Sequence, residues 1–129
     1  DRANEKGYDK FTQIAANLAM VAKLPKDLRE DLTVIFLTHS EDSTDINGNR
    51  KIKAKTIGKM IDNTLTLEGL FSIVLFGKVN KNDDGELEYG FETQNSGENT
   101  CKSPMGMFED KFIPNDLQFV KDCIEKYNQ

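Results

Sequence analysis

This 129-residue chain has a single histidine, His39, and two cysteines, Cys101 and Cys123. No Cys/His set has the spacing of a zinc site, and two cysteines make no disulfide framework. A reduced, cytoplasmic protein is therefore the default expectation. With one histidine, a Ser-His-Asp triad would have to recruit Ser40, the neighbour of His39. Adjacent residues on a strand point to opposite faces, so that pair cannot work directly. A phosphate loop of the form G-x-x-x-x-G-K-[ST] is also missing, since Gly58-Lys59 lacks both the earlier glycine and the following Ser or Thr. No apolar run approaches the roughly 18 residues of a membrane span, so no membrane partner is expected. Asp1-Arg2-Ala3-Asn4-Glu5-Lys6 has neither the apolar core of a signal peptide nor an initiator Met, which reads as a processed or excised segment. Nor is the chain basic. Its 17 Lys and Arg stand against 22 Asp and Glu, a net charge of −5, which disfavours a general nucleic-acid surface but permits a local basic patch.

What is present suits one folded domain spanning residues 1–129, with 37% hydrophobic and 30% charged residues. The organising stretch is Leu32-Thr33-Val34-Ile35-Phe36-Leu37-Thr38. It is apolar, rich in β-branched residues and too short for a helix, and so predicts a strand buried on both faces in the middle of a parallel sheet. Thr38, His39, Ser40 and Glu41 then fall at its carboxyl end, the edge where open α/β sheets bind ligands. His39 reads there either as a hydrogen-bonded strand-end residue or as a catalytic group.

The chain around this stretch has a plain organisation. Tyr8, Phe11, Ile14, Ala15, Leu18, Val21 and Ala22 recur at helical spacing and predict an amphipathic helix over 8–23, ended by Pro25. Residues 26–31 are a short polar turn. After Glu41 comes a turn-rich loop with an Asn47-Gly48 signal, then an alternating stretch, 51–55, that fits one arm of a hairpin. Lys51, Lys53, Lys55 and Lys59 cluster here, either as a solvated face or as a local anion site. Thr56 is placed to cap a short helix carrying Ile57, Met60 and Ile61. Phe71 to Phe76 predicts a second buried strand. Leu87, Tyr89, Phe91 and Thr93 alternate with polar residues or glycine, so an antiparallel hairpin turning at Asp84-Gly85 is expected. A long loop over 94–106 and a closing helix over 116–127 complete the chain, the helix with an apolar face of Leu117, Phe119, Val120, Cys123, Ile124 and Tyr127.

Asn80 to Leu87 matches the first eight positions of a calcium loop, with oxygen ligands at the first, third and fifth places and Gly85 at the sixth. The bidentate glutamate required at the twelfth place is Phe91, and the flanks favour strands over helices. A hairpin turn is the better reading, and neither calcium nor zinc is expected.

Several segments together resemble a known family. Val34-Ile35-Phe36-Leu37-Thr38-His39-Ser40-Glu41, Lys55-Thr56-Ile57-Gly58-Lys59-Met60 and Glu68-Gly69-Leu70-Phe71-Ser72-Ile73-Val74-Leu75 are similar to a series in bacteriophage P-loop ATPases. Phe91-Glu92-Thr93-Gln94-Asn95 and Lys102-Ser103-Pro104-Met105-Gly106-Met107-Phe108 continue that series in order. These are the RecA-like, AAA-labelled proteins of phage recombination and single-strand annealing. The resemblance covers nearly the whole chain, but only the second half of such an ATPase.

It implies an α/β fold: a partial RecA-like P-loop sheet with a central buried strand, a β-hairpin and flanking helices. His39 would match the polar residue that senses the γ-phosphate or attacking water, with Thr38, Ser40 and Glu41 beside the nucleotide. Lys102 would match a basic residue reaching a neighbouring subunit's nucleotide, which makes a homo-oligomer the expected state of the intact protein. Lys55 and Lys59 would lie in the segment facing DNA, with Lys51 and Lys53 beside them and single-stranded DNA as the expected partner. The phosphate loop and metal-binding acidic strand lie upstream in that family. ATP and Mg are thus expected only with the missing N-terminal half, and this chain alone should not hydrolyse ATP. The rival readings are a non-catalytic phage or host interaction module on the same scaffold and, weakest, a calcium-binding module.

Overall fold

A computed structural model of the chain describes residues 8–56 and 66–129. The protein is mixed α/β, and among the described residues it has two α-helices and two small antiparallel sheets. Contacts group the chain into two compact units, residues 1–41 with 54–71 and residues 42–53 with 72–129.

In the first unit, helix α1 runs Tyr8–Lys23, as the apolar spacing predicts. Asp9 in its first turn and Lys23 in its last both complement the helix dipole. Its buried residues, Ala15 and Ala22, are small, and the helix packs against a short 3-10 turn at Leu67–Leu70. Pro25 cannot donate to the helix, which gives way to a 3-10 turn, Leu24–Asp27, closed by Leu28 N–H on the Pro25 carbonyl at 3.3 Å.

Residues 32–39 then differ from expectation. They form no strand, and Leu32, Val34, Ile35, Phe36 and Leu37 are exposed, Ile35 by 52% and Leu37 by 89%. The expected buried central strand is therefore not formed among the described residues. The physical reason is that a strand's stability lies in its neighbours, through ladder hydrogen bonds and cross-strand side-chain pairs. Among the described residues nothing supplies ladder bonds between Leu32 and Leu37; the first such bond reaches the His39 carbonyl, from Lys55 N–H. Among the described residues the run's ring contact is Phe36 against Phe71, centroids 5.2 Å apart and planes tilted by 58°.

Strands β1 (Ser40–Thr44) and β2 (Arg50–Ala54) form a hairpin. Its turn is held by Asp45, whose Oδ1 accepts from Asn47 N and Asn49 N at 2.8 Å each. Gly48 N–H donates to the Asp45 carbonyl at 3.0 Å, and Gly48 takes the positive φ of 84° that a side chain would resist. The short helix expected from Thr56 through Ile61, and with it Lys59, lies outside the described residues.

The second unit contains a three-stranded sheet ordered β3 (Phe76–Lys81), β4 (Leu87–Glu92), β5 (Phe112–Pro114). The β3–β4 hairpin is the expected one, with Val79 opposite Tyr89. Its turn repeats the chemistry of the first. Asn82 Oδ1 accepts from Glu86 N at 2.8 Å, and Gly85 donates to the Asn82 carbonyl at 2.9 Å. β3 begins only at Phe76, so the strand expected over 71–76 is displaced toward the turn. Val74 instead bridges Lys102, with both N–H···O bonds at 2.9 Å, which ties the long loop to the sheet. Helix α2 (Leu117–Tyr127) is capped by Asp116, whose Oδ1 accepts from Gln118 N at 2.8 Å and Phe119 N at 3.3 Å.

The core of this unit is Cys101, Met107, Ile113 and Val120, with two buried polar residues, Thr93 and Asn99. Both are satisfied, as burial requires. The Thr93 hydroxyl is within bonding distance of the carbonyls of Asp110 (3.1 Å) and Lys111 (3.2 Å). Asn99 donates to Glu92 Oε2 at 2.5 Å and accepts from Cys101 N at 3.1 Å.

Candidate functional site

The candidate strand end is built on a short set of backbone bonds at the base of the first hairpin. Lys55 N–H donates to the His39 carbonyl at 2.7 Å. The Thr38 hydroxyl lies within bonding distance of that same carbonyl (3.2 Å) and of the Lys55 carbonyl (3.4 Å). Thr38, His39 and Lys55 are thus brought together, although they come from places 17 residues apart in sequence. All three are exposed, as is Ser40, while Glu41 is half-buried. One further tie fixes this hairpin end: Ala54 N–H donates to Glu68 Oε1 at 2.7 Å.

Lys51 and Lys53 are half-buried and alternate along β2 with Ile52 between them. The nearby pair Asp42–Arg50 is bidentate, with Nε to Oδ1 at 3.1 Å and a terminal nitrogen to Oδ2 at 2.5 Å. The Arg50 hydrogen bond holds the Asp42 carboxyl below its ordinary range and raises the guanidinium in turn. Asp45 is lowered likewise, chiefly by the side-chain amide of Asn49 at 3.0 Å. Lys102 is half-buried and belongs to the second unit, whereas Thr38, His39, Ser40, Glu41 and Lys55 belong to the first.

No family model, curated protein or solved structure matches the chain.

Two arrangements were not legible in the sequence. One is the Glu68 bond to Ala54, made by an ordinary-looking glutamate on a 3-10 turn. The other is the polar chain Lys78–Glu92–Asn99–Cys101 in the second unit. There Lys78 Nζ lies 2.7 Å from Glu92 Oε1, and that hydrogen bond raises the lysine pKa. Burial pushes the Cys101 thiol pKa up. Nothing in the sequence pointed to Glu92 as the partner of Lys78.

The second unit also holds a cavity of about 330 Å³ beside α2, floored by Met107 and Ile113 and walled by Phe119, Cys123 and Tyr127. None of the residues singled out from the sequence for chemistry lines it. Among the described residues there is no group of three or more His, Cys, Asp or Glu side chains arranged to hold a metal ion. No helix among them is long and apolar enough to cross a membrane.

Proposed function

We propose that this chain is the C-terminal part of a phage RecA-like P-loop ATPase acting in DNA recombination or annealing in the bacterial cytoplasm. It lacks a phosphate loop of its own, so ATP and Mg would be bound only together with the half that carries one. The supporting observation is the run Leu32–Leu37. Apart from Thr33 it is apolar on alternate and intervening positions alike, its large side chains are exposed, and it leads into the polar Thr38–His39–Ser40–Glu41. A central strand of a parallel sheet has this character when its neighbouring strands come from elsewhere. In this reading His39 senses the γ-phosphate or the attacking water, Thr38, Ser40 and Glu41 line the nucleotide, and Lys102 reaches a neighbouring subunit's nucleotide. Lys51, Lys53, Lys55 and Lys59 face single-stranded DNA.

The test is ATP turnover by the chain alone and after reconstitution with a phosphate-loop-bearing half of such an ATPase. The reading expects none above background alone, turnover after reconstitution, and its loss with His39→Ala. Turnover by the chain alone, or reconstituted turnover indifferent to His39→Ala, overturns the site assignment.

A second reading, a non-catalytic interaction module, draws on a different observation. The Thr38 hydroxyl and Lys55 N–H are both directed to backbone carbonyls of the hairpin, which is structural use of these groups. Under that reading reconstitution restores no turnover, and His39→Ala leaves partner binding unchanged.

A further inference from the structure

The exposed run poses a question that the ATPase reading leaves open: what covers it when this chain is by itself. From Leu32 to Ser40 the sequence carries no lysine, arginine or carboxylate. Ile35 and Leu37 are 52% and 89% exposed. Natural proteins protect exposed β-forming edges with charges, prolines or bulges, and this run has no charge or proline within it. It is therefore a template for another strand.

We infer that a second copy of this chain pairs with it, antiparallel and centred on Ile35. Two features of the run favour a copy in this orientation. The first is charge. A parallel in-register pairing sets Asp31, already paired with Arg29 of its own copy at 3.0 Å, against Asp31, and Glu41 against Glu41, so like carboxylates face each other at both ends. The antiparallel pairing centred on Ile35 sets Asp31 of one copy beside His39 of the other and opposes no like charges. The second is shape. The same register places Val34 opposite Phe36 twice, an aromatic–β-branched pair of the kind that stabilises antiparallel strands, and Ile35 opposite itself. Phe36 keeps its contact with Phe71 inside its own copy. Pairing through one edge of the run is isologous and gives a two-fold dimer. This inference stands apart from the ATPase reading, because it needs only the exposed run and the charges that flank it.

The test combines sedimentation with distance measurement on the full chain. Wild type is expected to show a concentration-dependent monomer–dimer equilibrium. Ile35→Lys and Leu37→Lys should each weaken the dimer at least about tenfold. Both positions are exposed, so helix content by circular dichroism should stay at the wild-type value. Nitroxide labels are then placed one at a time along the run, in a Cys123→Ser background in which buried Cys101 stays unlabelled. The distance between copies should be shortest at residue 35. It should lengthen by roughly 7 Å for each residue moved toward either end, twice the strand rise. A monomer at all concentrations, an open-ended aggregate, or a dimer indifferent to both lysine variants overturns the inference. A distance constant along the run shows parallel pairing, and a minimum elsewhere shows another register; either one overturns it too. Capture of a strand from a phosphate-loop-bearing half by a chain that stays monomeric alone does the same, while leaving the ATPase reading intact.

Discussion

Two stretches of this chain carry nearly the same signature and come to opposite ends. Leu32–Leu37 and Phe71–Phe76 are both six-residue runs dominated by β-branched, leucine and phenylalanine residues. In the second, Ile73, Val74, Leu75 and Phe76 are all half-buried, and Val74 exchanges both backbone bonds with Lys102. In the first, the apolar side chains are exposed and no strand pairs with them among the described residues. Composition is nearly the same; what differs is the presence of a neighbour. A run of β-formers states that a segment will pair if a partner is supplied, and says nothing about where the partner is.

The largest difference is expected between two isoleucines. Ile113 is 3% exposed at the centre of the second unit's core, where it pairs opposite Phe91. Ile113→Ala should cost about 2–5 kcal/mol in denaturant unfolding. Ile35→Ala should stay within about 0.5 kcal/mol at concentrations where the chain is monomeric. A large loss at Ile35 under those conditions would mean that the first run is buried after all.

A smaller effect is expected at Gly90. A methyl group there would meet the Ile113 carbonyl at 2.5 Å and overlap the Phe112 ring, so β5 would have to shift. Gly90→Ala should cost about 1–3 kcal/mol, the usual range for overpacking. Gly77 on the neighbouring strand has open space, and Gly77→Ala should leave β3–β4 pairing intact. An equal loss at both positions would remove close packing as the cause.

The polar chain of the second unit adds a pH dependence. The Lys78 pKa is raised in the folded protein, principally by its hydrogen bond to Glu92. A raised pKa means that the folded state holds the proton more tightly. The pair's contribution is therefore complete below the unfolded lysine value, about 10.4, and is lost as pH climbs through the folded value. Thermal melts across that alkaline window should fall more steeply for wild type than for Lys78→Met. Parallel slopes would show that the contact is not held in solution.

The least effect is expected at the first hairpin turn. The Asp45 carboxyl is held below its ordinary range, first by the Asn49 side chain. Its contribution is present above the unfolded value of about 3.9 and fades as pH falls through the lower folded value. Asp45→Ala should shallow the acid limb of the melting curve slightly, because this turn is fully solvated. An unchanged acid limb would show that the turn holds without the carboxylate.

Much of the local structure was legible in the sequence, because short-range chemistry decides it. α1 follows from the spacing of its apolar residues and stops at Pro25. Both hairpins follow from Asn47-Gly48 and Asp84-Gly85, whose glycines take the positive φ; the acceptors Asp45 and Asn82, three residues before each glycine, emerge only in the structure. The closing helix follows from Asp116 and the apolar stripe. The pairing of β5 with β4 and the bond from Glu68 to Ala54 were not legible. Both join residues far apart in the chain, and periodicity carries no information about such distant partners. The candidate site was read from the sequence as single residues, not as an arrangement. The sequence pointed to Thr38 and His39, but it gave no sign that Lys55 would bond across to them.

Amide hydrogen exchange across the two runs, measured as a function of protein concentration, separates a run covered within its own chain from one covered by a second copy. Val74 and Lys102 amides should be protected at every concentration, because their partners are in the same chain. Between Thr33 and Leu37 every other amide should be unprotected in dilute solution and gain protection as concentration rises and copies pair. Protection of those amides that is already complete at high dilution would mean that the chain covers the run itself, which contradicts the account.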